Sequence, residues 1–201
     1  MDEIVLRSML KWPAVPAVYG WLRLDRRGNW LVKARAPRAG APVFERISNP
    51  AVIEFIGRNY ARDEIGRWYF QNGPQRVFVA LDYTPWVYRL DDAAEGFVAH
   101  TGPEPRAPEA AFLDDAGALL LQTALGIGVL LDRDLQAVLE RLTDARGRTA
   151  EQIIGDLAQG KGAKARLFGK PLEVASIRCA DIAARFGFVP APAPGPGKPE
   201  C

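Results

Sequence analysis

A chain of 201 residues that is 48% apolar and 25% charged has enough apolar surface to offset the entropy of ordering, which excludes a disordered protein and allows one large domain or two small ones. Its formal charge of +2 supplies no overall field, so net charge alone does not steer it to nucleic acid or an anionic membrane. The charge is uneven along the chain: seven basic residues between Arg23 and Arg46 face only Asp25 and Glu45, and seven acidic residues between Asp91 and Asp115 face only Arg106.

In chain order, residues 3–11 combine early acidic residues with Ile4, Val5, Leu6, Met9 and Leu10, predicting a short amphipathic helix that Pro13 ends. Residues 18–24 and 29–32 alternate as strands across the turn Asp25-Arg26-Arg27-Gly28, and 34–42, rich in Ala, Pro, Arg and Gly, reads as an exposed loop. Ser48-Asn49-Pro50 starts a helix to about residue 60, with a capping oxygen followed by proline where no N–H is needed. That helix is expected to turn Val52, Ile53, Ile56 and Tyr60 to one side and to pair Glu54 with Arg58 on the other. Segments 67–71, 76–81 and 86–90 are aromatic and β-branched and predict three antiparallel strands.

Residues 101–110, with three prolines and two glutamates, read as a linker. Beyond it, 119–122 and 127–132 predict strands, 133–142 and 149–158 predict helices, and Thr149 with Gln152 forms a capping box. Two short strands are expected around Gly169-Lys170-Pro171, and 190–201 is expected to be a disordered tail. The expected fold class is therefore α+β, with mainly antiparallel strands and a few helices in two closely packed lobes, residues 1–100 and 111–189. Three stretches share the frame Asp-x-x-Gly, at Asp25, Asp63 and Asp114. Ordinary turns explain them, and a duplicated β unit is the minority reading.

The N-terminus lacks a basic stretch and long apolar run, and the apolar-rich run 116–131 is broken by Gly117, Gln122, Thr123, Gly126 and Gly128, so neither secretion nor membrane insertion is expected. Cys179 and Cys201 read as free thiols, which points to the cytoplasm.

Catalytic motifs are incomplete. A single histidine, His100, and no cysteine pair at ligand spacing leave zinc little to bind. Asp132 with Asp134, or Asp114 with Asp115, has the chemistry for magnesium, but each pair sits where aspartate caps backbone N–H groups. Residues 155–161 have the glycine and lysine spacing of a phosphate loop but continue with Gly162 where Ser or Thr belongs, and Gly126-Ile127-Gly128 lacks the third glycine of a dinucleotide fingerprint. No catalytic residue, metal ligand or cofactor is expected. What remains is the hairpin of Arg67, Gln71, Asn72, Gln75 and Arg76, where polar groups converge beside Trp68, Tyr69 and Phe70; a sheet covered on both faces with a solvated turn is the simpler reading, and a ligand- or partner-binding site is the functional one.

The runs Trp12-Pro13 to Leu22, Gly66 to Val77, and Leu125-Gly126-Ile127-Gly128 followed by Asp132-Arg133-Asp134 resemble a family of uncharacterised proteobacterial proteins known as a domain of unknown function. The resemblance implies a bacterial cytoplasmic protein and no activity. The reading the residues favour is a non-catalytic binding or protein-interaction protein, with a protein partner or self-association. Behind it stand nucleic-acid binding through segment 23–46 with Trp21 and Trp30, and a carboxylate- or metal-dependent enzyme using Asp132 and Asp134.

Overall fold

A computed structural model of the chain describes residues 1–34, 42–93, 95–105, 107–159 and 161–195; most of the expected loop 34–42 lies outside them. The chain forms two compact units, one of Met1–Pro85 together with the chain from Gly187, the other of Trp86–Phe186. Both are α+β.

The first unit contains α1 (Glu3–Lys11), β1 (Val18–Leu24), β2 (Trp30–Lys33), β3 (Phe44–Arg46), α2 (Pro50–Arg58), β4 (Tyr60–Arg62), β5 (Trp68–Asn72) and β6 (Gln75–Leu81). Its six strands lie in the order β3-β2-β1-β6-β5-β4, antiparallel except where β1 runs parallel to β6. The Asn49 side chain accepts the N–H groups of Ala51 and Val52, with Pro50 at the first helical position, and Arg58 lies 3.7 Å from Glu54. The inward face of α2 differs from expectation: Val52 is 41% exposed, while Phe55 meets Phe70 edge-on at 5.4 Å. Successive residues of β5 point to opposite faces. Trp68 therefore joins Tyr60 and Trp30 in one aromatic layer, whereas Tyr69 meets Phe78, itself stacked on Tyr19 at 4.6 Å, on the other.

The chain expected to be a tail from residue 190 begins with a docked residue. Leu81 N–H donates to Pro190 C=O (2.8 Å), Val189 N–H donates to Gly66 C=O (2.9 Å), and Phe188 is buried. A main-chain carbonyl accepts such a bond without any apolar side chain, so composition did not reveal it. Residues 196–201 of that expectation lie outside the described residues.

The second unit contains β7 (Trp86–Leu90), β8 (Phe97–Ala99), β9 (Ala110–Asp114), β10 (Leu119–Thr123), β11 (Gly126–Leu130), α3 (Leu135–Leu139) entered through a 3-10 turn, β12 (Leu142–Asp144), α4 (Ala150–Ala158), β13 (Ala163–Leu167), β14 (Lys170–Ile177) and α5 (Ile182–Phe186). Its eight strands are ordered β12-β13-β14-β9-β10-β11-β7-β8, with β7 parallel to β11 and β14 parallel to β9. The third aromatic strand thus leaves its two predecessors and enters this sheet. The expected linker 101–110 is internal to this unit: Ala99 N–H donates to Pro103 C=O, His100 N–H to Val87 C=O and Glu109 N–H to Gln122 C=O. Proline and glutamate mark a loop but do not choose the sheet its flanking strands join.

Among the described residues, the Asp-x-x-Gly frame is one turn built four times. Asp25, Asp63, Asp114 and Asp144 each accept on Oδ1 the N–H groups two and four residues ahead. Each also accepts on its carbonyl the N–H of a glycine at positive φ. The copy at Asp144 escaped the sequence reading because a helix, not a strand, follows it. Topology repeats as well: β2-β1-β6-β5-β4 and β8-β7-β11-β10-β9 are both a hairpin joined through a parallel pair to a three-strand meander, which supports the duplicated unit. The four edge strands, β3, β4, β8 and β12, are three residues long each, which limits pairing with another chain's strand.

Candidate functional site

The β5–β6 hairpin sets Gln71 opposite Arg76 and Asn72 opposite Gln75, and the β4–β5 pairing brings Arg62 across from Trp68. Alternation puts Arg67, Tyr69 and Gln71 on one face. There the Arg67 guanidinium lies 4.5 Å from the Phe78 ring centre and that of Arg76 lies 4.7 Å from the Tyr69 ring centre. Arg67 Nε also donates to Asp63 Oδ2 at 2.7 Å. Arg62, Asp63, Glu64, Ile65, Arg67, Tyr69 and Arg76 line an open concavity of about 460 Å³. Three guanidiniums against the carboxylates of Asp63 and Glu64 leave it one positive charge. Burial works against the ionised form of Asp63, but the hydrogen bonds from the Arg67 side chain and N–H outweigh it and hold the carboxyl below its ordinary value.

Of the five residues singled out from sequence, Arg67 and Arg76 line this concavity. Gln71 does not: it is fully buried, its Nε2 donates to Gly73 C=O at 2.8 Å, and its Oε1 is a buried acceptor without a partner among the described residues. Gln75 Nε2 reaches Pro16 C=O at 3.1 Å, and Asn72 is exposed at the turn. Sequence reading placed Tyr69 beside the site but missed Arg62, Asp63, Glu64 and Ile65. The Asp63 turn was recognisable, but which strand β5 pairs with decides that its residues face Arg76.

The other candidates fare differently. In segment 23–46, Trp30 is buried in the core, Arg23 lies 3.3 Å from Asp82, and Arg26 packs over Tyr83. Trp21, 40% exposed, has Lys33 at 5.5 Å from its ring; Arg35 and Arg38 lie outside the described residues. Of the two tryptophans read with this segment, Trp21 is exposed and Trp30 is not, because β2 turns Trp30 inward. Asp132 Oδ1 accepts the Arg133 N–H and Asp134 Oδ2 accepts the Leu90 N–H at 3.0 Å, so both serve the backbone. Among the described residues, Asp114, Asp115 and Cys179 bring one potential metal-ligand atom each within 4.8 Å of one another. Both carboxylates are already engaged, Asp114 in its turn and Asp115 with the Cys179 N–H. Gly126 and Gly128 make room for neighbours on the parallel strand β7: a Cβ at Gly128 would lie 2.4 Å from Tyr88 and 2.8 Å from Trp86. Tyr88 is fully buried and its hydroxyl meets Thr123 Oγ1 and Gly126 C=O, both at 2.9 Å. Burial pushes its pKa up to about 12.

These features define an α+β protein of two mixed sheets. The family model DUF2944, described as "Protein of unknown function (DUF2946)", matches residues 1–193, and the chain belongs to that family. The architecture is similar to the crystal structure of a DUF1285 family protein from Silicibacter pomeroyi DSS-3, at 16% identity over 80% of this chain and 82% of that one, with a TM-score of 0.50. That likeness concerns the fold alone. No curated protein matches the chain. No helix among the described residues is long and apolar enough to cross a membrane.

Proposed function

We propose that the chain is a non-catalytic binding protein that takes an acidic segment of a partner protein on the face of Arg67 and Arg76. The observation that carries this reading is Arg76: held over Tyr69 at 4.7 Å, it has no carboxylate in ion-pair reach among the described residues, unlike Arg67 with Asp63. Ring stacking orients a guanidinium while leaving its N–H edge available to a carboxylate. Ile4, Leu10 and Trp12, exposed by 74%, 84% and 51%, add apolar contact area in the same unit and favour a macromolecular partner over a free ion. The short edge strands argue against recognition by strand addition.

Nucleic-acid binding draws less support, since Trp30 is unavailable for stacking. A bacterial cytoplasmic setting is part of the proposal, supported by the bacterial source of the structural neighbour. The test is fluorescence polarisation with a labelled hexaglutamate peptide. Arg76→Ala is expected to weaken binding about tenfold while the protein stays folded, its stability changed by less than about 1 kcal/mol. Equal affinity of the wild-type and Arg76→Ala proteins removes the reading.

A further inference from the structure

The second unit holds a cleft of about 440 Å³ that the hairpin site does not explain. It lies where the parallel strands β9 and β14 both end, with Ser176 paired to Leu113 and Ile177 to Asp114. Leu172, Val174 and Ser176 share one face of β14 by alternation. The first two are buried and Ser176 is exposed, so the face shrinks to a small side chain at the strand's end. Against it stand Ile154 and Leu157 of α4, and with Leu113 and Ile177 they give the cleft an aliphatic lining.

Its remaining lining is charged and of both signs: Asp114, Asp115, Asp181, Arg178 and Arg185. Asp114 is turned into its own Asp-x-x-Gly turn. Arg178 and Asp181 hold each other at 2.8 and 3.1 Å. That leaves Arg185, which packs over Phe112 at 4.6 Å and has no ion pair among the described residues, and Asp115. Asp115 accepts the Cys179 N–H at 2.8 Å; its hydrogen bonds from Cys179, with a smaller contribution from the charge of Arg178, hold its pKa below the ordinary value.

We infer that this cleft is a binding site for a small aliphatic zwitterion, an aliphatic α-amino acid: the side chain on the Leu113, Ile154, Leu157 and Ile177 lining, the carboxylate on Arg185, the ammonium on Asp115. An apolar lining beside a few charged groups is the usual make-up of a small-molecule site. Among the described residues Arg185 and Asp115 each lack an ion pair, and together they match a ligand that carries one charge of each sign. The inference is independent of the hairpin site.

The probe is L-leucine, titrated calorimetrically into the full chain, with hexanoate, isopentylamine and glycine for comparison. Saturable leucine binding is expected, with each comparison compound at least about tenfold weaker because it lacks the ammonium, the carboxylate or the aliphatic body. Arg185→Gln is expected to weaken leucine about tenfold through loss of a charge-assisted pair. Ser176→Phe, which fills the opening from an exposed position, is expected to abolish binding with the melting temperature unchanged. The assignment is overturned if leucine gives no saturable heat, if hexanoate or isopentylamine binds as tightly as leucine, or if Arg185→Gln leaves the affinity unaltered.

Discussion

Replacing Gly66 by alanine separates backbone strain from collision, because the same turn occurs elsewhere without the neighbour. At Gly66 φ is +88° and a Cβ would lie 2.2 Å from Gly187 O, 3.1 Å from its carbonyl carbon and 3.2 Å from Phe188 Cα. All three are main-chain atoms, so no flexible side chain can swing aside. At Gly117 φ is +83° and nothing lies within 4 Å of the same Cβ. Alanine at either position carries the left-handed strain of about 1 to 2 kcal/mol. At Gly66 relief also requires the chain from Gly187 to move, which endangers the bonds Val189 N–H to Gly66 C=O and Leu81 N–H to Pro190 C=O and the burial of Phe188. Two backbone bonds at about 0.5 to 1.5 kcal/mol each and an aromatic burial of about 1.5 to 3 kcal/mol set the scale. Partial rearrangement brings the expected loss for Gly66→Ala to about 3 to 5 kcal/mol, against about 1 to 2 kcal/mol for Gly117→Ala. Urea denaturation followed by circular dichroism, with each variant read on the transition of its own unit, measures both. Losses equal within about 0.5 kcal/mol would refute the argument that the returning chain packs on this turn.

Gly128→Ala, with no unusual φ but a Cβ 2.4 Å from the buried Tyr88 ring, should lose about 1 to 3 kcal/mol by overpacking, and an unchanged urea midpoint would contradict the close approach. Arg76→Ala should shift stability by less than about 1 kcal/mol, since stacking on Tyr69 is its intramolecular contact, while Gln71→Ala should lose about 2 to 3 kcal/mol through a buried cavity and a lost bond to Gly73 C=O. Similar melts for the two would show that the hairpin residues do not divide into surface and core. Asp144, held by the Arg148 side chain, titrates in the folded state at about 2 against an ordinary 3.8. Because the folded value is the lower one, its contribution is complete above 3.8 and disappears as pH falls through about 2. Asp144→Asn should flatten the wild-type acid profile in that window, and superimposable profiles would exclude this pair as a source of acid sensitivity. Deleting residues 192–201 should leave melting unchanged, whereas deletion from 187 should lower it by several degrees, about 4 to 8 °C per kcal/mol in a unit of this size. A silent deletion from 187 would show that the docked stretch contributes nothing.

Local features were legible where the chemistry is local. The α1 boundaries, the start of α2 with its Asn49 cap, the Thr149–Gln152 capping box and the hairpin across Asp25 all depend on atoms within a few residues, and the structure reproduces them, whereas α2 ends at Arg58 and Tyr60, expected on its inner face, opens β4 instead. So were the strands β5, β6, β10, β11, β13 and β14, whose alternation or apolar runs are intrinsic to the chain. Short elements escaped: three-residue strands such as β4 and β12 are held by their partners' hydrogen bonds and carry too few residues to show a period. Family membership was legible too, because it is a property of the residue string.

Partner choice was decided only in three dimensions. No local rule sends β6 to lie parallel with β1, or parts β7 from β5 and β6 to pair with β11, since the energy of each pairing comes from residues dozens of positions away. For the same reason the sequence named Arg67 and Arg76 but also Gln71, which burial turned into a core residue. It also passed over Ser176 and Arg185, which become neighbours in one cleft only through the parallel pairing of β9 with β14 and the return of α5. Side-chain chemistry is written in the chain, whereas its convergence depends on long-range strand pairing.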